Sequence, residues 1–167
     1  MSKASLVCDT PLLLYLGRIG QAELLPALFE PIYVPEVVIL ELAAGALLRP
    51  DTLDPLSLGW VRPVKVTAAE LATLPQNRLG RGEQAVLAYG YAQKVNYVGL
   101  DDRQARLLAE ALGLQTTGLI GVLLRAKRGK LIPSVRELLD SVRLEGFRID
   151  DELYLEALRL AGEESSQ

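Results

Sequence analysis

Asp9, Thr10, Glu41, Glu83, Asp101, Asp102 and Thr117 stand where an apolar strand ends or where an apolar helix face would otherwise be continuous. Asp9 and Thr10 follow "SLVC", Asp101 and Asp102 follow "NYVGL", and Thr117 lies in "LQTTG". Glu41 has Val37, Val38, Ala44 and Gly45 as its neighbours three and four residues away, so it interrupts an apolar stripe. Glu83 opens the helical pattern "GRGEQAVLAYGYAQK" with Val86 and Leu87 on its own face. An acid on such a face needs a partner or a functional reason. Two adjacent aspartates beside a hydrophobic run repel each other unless something positive joins them. Each acid also has an ordinary role. Asp9 and one of Asp101 or Asp102 can cap helices, Glu83 can favour a helix N-terminus, and Glu41 can reach solvent or pair with an arginine. Independent caps have no reason to collect at one edge of a sheet, whereas a divalent metal site requires several carboxylates there.

The residue types that are missing narrow the chemistry further. The chain has no histidine and a single cysteine, Cys8, which sits in an apolar run and reads as a small buried hydrophobe. His-based acid/base catalysis, Ser-His-Asp and Cys-His nucleophiles and the usual structural zinc sites all need residues this sequence lacks. An aspartyl nucleophile of the phosphatase type needs a second Asp two residues on, and that position is Pro11. Oxygen-only ligands suit hard cations, so the expected metal is Mg²⁺ or Mn²⁺. The net charge of −3 argues against a protein whose whole surface binds nucleic acid and leaves room for a local basic patch.

The elements that must position these residues follow from pattern. Strands are expected at "SLVCD", "PIYV", "NYVGL" and "LQTTG", each followed by a helix, with "WVRPVKV" as a short or edge strand. Gly17 and Gly20 mark a break between two helices, Pro35 fits a first helical position, and Gly113 fits a C-terminal cap. Strands alternating with helices predict a three-layer α/β/α sandwich with a mainly parallel central sheet. Residues 1–132 form that α/β core, and residues 133–167 read as a C-terminal helical extension of two amphipathic helices packing on the same domain. In an open parallel sheet, sites form beyond the carboxyl ends of the strands, near a switch in strand order. The apolar runs fall short of the roughly 20 residues that span a bilayer, and no signal pattern opens the chain; the expectation is a soluble, cytoplasmic protein with no membrane partner.

Strand-Asp-Thr at the start, "VPEVVILEL", "LGRGEQAVLAYG", "VGLDDRQARLLAEALGL" and "TTGLIGVLLRAKRGKLI" together resemble the PIN-domain family, particularly its prokaryotic VapC-like branch. The ending "LLDSVRLEGFRIDDELYLEALRLAGE" is similar to that branch too, so the resemblance spans almost the whole chain. It implies a metal-dependent endoribonuclease acting on RNA, the toxin of a toxin-antitoxin module with an antitoxin protein as partner. A homodimer is a further expectation, from the apolar helices. By the same resemblance Asp9, Glu41 and Glu83 are the first three metal-binding acids, and Asp101 or Asp102 is the fourth. Thr10 and Thr117 match hydroxyl positions that orient ligands or water. Two departures stand out: Pro11 directly follows Asp9-Thr10, and the common Thr-x-Asp pattern becomes Leu100-Asp101-Asp102. They support the alternative of a catalytically inactive PIN-like module for partner binding or oligomerisation. For a nuclease, basic residues such as Arg103, Arg125 or Lys127 have to supply the attraction for RNA that the net charge does not.

Overall fold

The computed structural model describes residues 2–164. Its centre is a five-stranded, wholly parallel sheet in the order β3-β2-β1-β4-β5. The strands are β1 (Ala4–Cys8), β2 (Phe29–Pro35), β3 (Val61–Val64), β4 (Tyr97–Gly99) and β5 (Gln115–Thr117). β1 is buried along its last three residues, as parallel strands covered by helices on both faces require. β3 is an edge strand and tolerates Pro63, whose missing N–H costs least there.

The helices are α1 (Thr10–Arg18), α2 (Leu24–Leu28), α3 (Glu36–Leu48), α4 (Ala68–Ala72), α5 (Arg81–Gln93), α6 (Arg103–Ala111), α7 (Leu119–Arg128), α8 (Val135–Leu144) and α9 (Asp151–Leu160). One layer is built from α1, α2 and α7, backed by α8 and α9; α5 and α6 form the other. α3 touches both, packing on α1 and α5. Val135, Leu139 and Val142 of α8 and Ala157 and Leu158 of α9 join the same buried core as Leu6, Val7 and Leu12. Gly90 lets α5 lie against β4, since a Cβ there would stand 2.5 Å from Val98 Cγ1.

The fold class and the strand positions agree with the sequence pattern, including the break after α1 and the edge strand. Gly113 closes α6 with φ +77°, as its place after the last periodic residue predicts. Pro35 differs: it still pairs with Val64 in the sheet at ψ 146°, so the helix begins one residue later, at Glu36. The short α4, fixed by a reciprocal Thr67–Glu70 capping box, has no apolar periodicity to announce it. No described helix is long and apolar enough to cross a membrane.

Candidate active site

The chain winds outward from β1 through β2 to β3, then returns to β4 on the other side of β1. The reversal in strand order therefore lies between β1 and β4, where Cys8 registers with Gly99 and Gly99 with Thr117. Asp9 N–H donates to Gly99 O at 3.0 Å and Leu100 N–H to Thr117 O at 2.9 Å, tying the three strand ends together. Asp9, Asp101 and Thr117 follow from this register as neighbours at the carboxyl edge.

Asp9 is 1 % exposed. Its Oδ1 caps α1 by accepting from Leu12 N at 3.2 Å, while Oδ2 is buried with no hydrogen-bond partner. Pro11 is accommodated because it sits in the first turn of α1, where a backbone N–H has no helical acceptor. Asp101 repeats this arrangement in trans: Oδ1 accepts from Leu119 N at 2.9 Å, capping α7, and Oδ2 is buried without a partner. Asp102 does the capping at its own helix, accepting from Ala105 N at 3.0 Å from an exposed position. The two adjacent aspartates thus divide their work, one on α7 and the strand edge, the other on α6.

Burial, and next the Asp101 charge, push the Asp9 carboxyl well above the usual carboxylate range. Burial raises Asp101 too, against the opposing pull of Leu119 N–H and the Arg106 charge. Glu83 is raised by burial and by Asp102 and Glu41, while its Oε1 accepts from Gly80 N at 3.1 Å. Thr10 donates to Glu41 Oε2 at 2.5 Å, joining α1 to α3. Gly82 of α5 stands close by, where a Cβ would lie 3.0 Å from Glu41 Oε1. Asp9, Thr10, Glu41 and Glu83 line one cleft of about 330 Å³, together with Pro11, Gly80 and Gly82. Asp101 and Thr117 face a second cavity on the α6–α7 side.

A family model described as a PIN domain matches residues 5–163. The chain belongs to the PIN-domain family. No curated protein matches it. PIN domains are generally nucleases, and they generally use divalent metal ions.

The side chains of this PIN domain meet that requirement in part. Asp9 and Asp101 offer orphaned, buried carboxylate oxygens whose mutual repulsion a cation relieves, and oxygen donors suit a hard ion. The ion pairs of the described residues lie elsewhere, on Arg49, Lys127, Arg143 and Arg159. Among the described residues, however, no three Asp, Glu or Cys side chains gather closely enough to hold an ion. Glu41 is held by Thr10 and Glu83 folds back onto Gly80, so neither joins the Asp9–Asp101 pair in one cage.

Thr117, 5 % exposed, has its Oγ1 where a Cβ on Gly121 would approach within 2.8 Å. Gly82, Gly118 and Gly121 are not singled out by sequence pattern; their one local signal is a glycine at the start of a helix. Of the basic residues expected to attract RNA, Lys127 is bonded to Glu163 at 2.8 Å, and the Arg125 guanidinium lies 4.3 Å from the Tyr97 ring centroid. Arg106, which nothing in the local pattern marks out, is the cation whose field reaches Asp101.

Proposed function

We propose that this PIN domain is a Mg²⁺- or Mn²⁺-dependent endoribonuclease of the VapC-like kind. The observation that carries the reading is the pair of buried carboxylates, Asp9 and Asp101, each with one oxygen capping a helix and the other unpartnered. Capping fixes the orientation of each carboxylate, because the bonded oxygen is held by the first turn of α1 or of α7. A buried carboxyl pair whose ionisation the empty fold opposes is hard to explain as scaffolding and easy to explain as a cation site. When bound, a divalent ion supplies Lewis acidity toward water and toward the phosphodiester. Asp9 and Asp101 are the proposed ligands. Thr10 orients Glu41 across the adjoining cleft, and Glu83 and Asp102 extend the acidic surface beside it. Thr117 offers its hydroxyl at the end of β5.

The same reading makes the protein a cytoplasmic toxin restrained by an antitoxin protein, and a homodimer. Its support is the outer face of α3, where Leu40, Leu47 and Leu48 are 68 %, 87 % and 91 % exposed. A second reading, a catalytically silent PIN module, draws support from the absence of a three-carboxylate cage among the described residues.

Cleavage of single-stranded RNA with Mn²⁺, Mg²⁺ or EDTA separates the two, comparing wild type with Asp9→Asn and Glu41→Gln. Metal-dependent cleavage that both variants lose supports the nuclease. Partner-free protein that cuts nothing with either metal, or variants that cut like wild type, would overturn it. Growth arrest on expression, relieved by the product of a small adjacent reading frame, tests the toxin role.

A further inference from the structure

Beside the acidic edge lies a cavity of about 330 Å³ with the opposite character. Arg106 of α6, Arg125 and Arg128 of α7 and Arg148 of the α8–α9 connection line it, together with Asp101 and Thr117. Arg106, Arg128 and Arg148 are exposed, and none of the three makes an ion pair among the described residues. Four guanidinium groups face one carboxylate, Asp101, in this lining, and their planar forks match phosphate oxygens. The wall also carries an apolar part, with Ile120, Leu124 and Phe147 half-buried and Leu153 exposed, beside the hydroxyl of Thr116. The volume falls in the range of small-molecule sites. An arginine rim over an apolar wall is the chemistry of a nucleotide, with a charged end and a flat apolar face.

We propose that this cavity is a nucleotide subsite, holding the unit of the RNA strand next to the cleaved bond. Its phosphate rests on Arg106, Arg128 and Arg148, and its base lies against Ile120, Leu124 and Phe147. The identification of the ligand as RNA rests on the nuclease reading above; the cavity and its charge do not. Two features connect it to that reading. The cavity opens onto Asp101, so a strand in it reaches the acidic edge directly. A chain of net charge −3 whose acids would repel a phosphate backbone also needs a local cationic foothold. One wall comes from Arg148 and Phe147, so the C-terminal helices contribute a binding surface as well as core.

The test is binding without catalysis. In EDTA, wild-type protein is titrated with nucleoside 5′-monophosphates, with inorganic phosphate and with a labelled single-stranded oligoribonucleotide. A monophosphate is expected to bind more tightly than phosphate alone. Arg106→Gln, Arg128→Gln and Arg148→Gln should each weaken monophosphate binding about tenfold, the scale of a hydrogen bond to a charged group. The salt slope for the oligonucleotide should flatten by about 0.7 for each phosphate left without its arginine. Leu124→Ala should reduce the preference for nucleotide over phosphate. The proposal is overturned if phosphate binds as well as nucleotide, if the arginine variants bind like wild type, or if an acidic peptide binds the same arginines more tightly. Cleavage in Mn²⁺ is scored separately. Arginine-dependent nucleotide binding without any cleavage overturns the nuclease reading and leaves the subsite standing; cleavage indifferent to the arginines does the reverse.

Discussion

Asp101 and Gly118 fit against each other across two connections of the sheet. Asp101 Oδ1 caps α7 at Leu119 N, and a Cβ on Gly118 would stand 2.7 Å from that oxygen and 3.1 Å from Leu100 O. Gly118 has φ −123°, so the glycine is required by space and not by backbone strain. Gly118→Ala must therefore displace either the carboxylate or the strand end. The expected result is a folded protein destabilised by about 1–3 kcal/mol, the usual cost of overpacking, with weakened Mn²⁺ binding. Denaturant titration and calorimetric metal titration read the two effects; a variant matching wild type in both would show that Asp101 is not held where it matters.

Asp9 and Asp101 should make the metal-free protein less stable as pH rises. Both carboxyls are raised in the fold above their ordinary value of 3.8. The folded state therefore prefers their protonated forms. The stability this preference contributes is fully present below the unfolded value of 3.8 and is lost as pH climbs through the raised folded values. In EDTA at neutral pH, Asp9→Asn should stabilise the protein, because the amide carries no charge for burial and Asp101 to oppose. Exposed Asp102→Asn should change little. Added Mn²⁺ should raise the thermal midpoint of wild type and leave that of Asp9→Asn unmoved.

Thr10 should act through Glu41. Its hydroxyl holds Glu41 Oε2 at 2.5 Å, and Gly82 leaves just enough room for the same carboxylate. Thr10→Val keeps the shape and removes the donor. We expect a stability loss of about 1 kcal/mol, with Thr10→Ser restoring it. A purely packing role predicts the opposite ranking, with Val closer to wild type than Ser.

Much of this arrangement is legible in the sequence because it follows from local rules. Apolar runs followed by Asp-Thr, Asp-Asp and Thr-Thr-Gly mark the strands and put their polar ends on one edge, and an acid interrupting an apolar stripe draws attention to Glu41. What pattern does not carry is contact between distant segments. Asp101 and Asp102 are adjacent, yet Asp102 caps the helix that follows and Asp101 a helix whose first residue lies 18 positions on. That division depends on β4 and β5 lying side by side, which no window of sequence contains. The arginine cavity is half hidden for the same reason: Arg128 lies in the basic run "RAKRGK", which local pattern shows, but Arg106 and Arg148 join it from two distant segments.

Glu163 provides the clearest case of such a long-range contact, and it yields a pH prediction. It closes the C-terminal end against α8 by accepting from Val135 N at 2.7 Å, Arg136 N at 3.0 Å, Ser134 Oγ at 3.0 Å and Lys127 Nζ at 2.8 Å. Burial alone would raise its carboxyl, but these donors outweigh burial and bring it from 4.5 down to about 2. A depressed folded value means stability present above pH 4.5 and lost as pH falls toward 2. The shift corresponds to on the order of 3 kcal/mol at neutral pH. Glu163→Gln should remove most of that and flatten the acid limb of the stability curve between pH 4.5 and 2. It should also raise hydrogen exchange at the start of α8. Arg148 and Phe147 hang from the far end of α8, so nucleotide binding should weaken in this variant only as far as that helix loosens. Urea midpoints against pH, run beside exchange rates, decide the matter: an unchanged acid limb would show that the four donors hold the chain end without stabilising the fold.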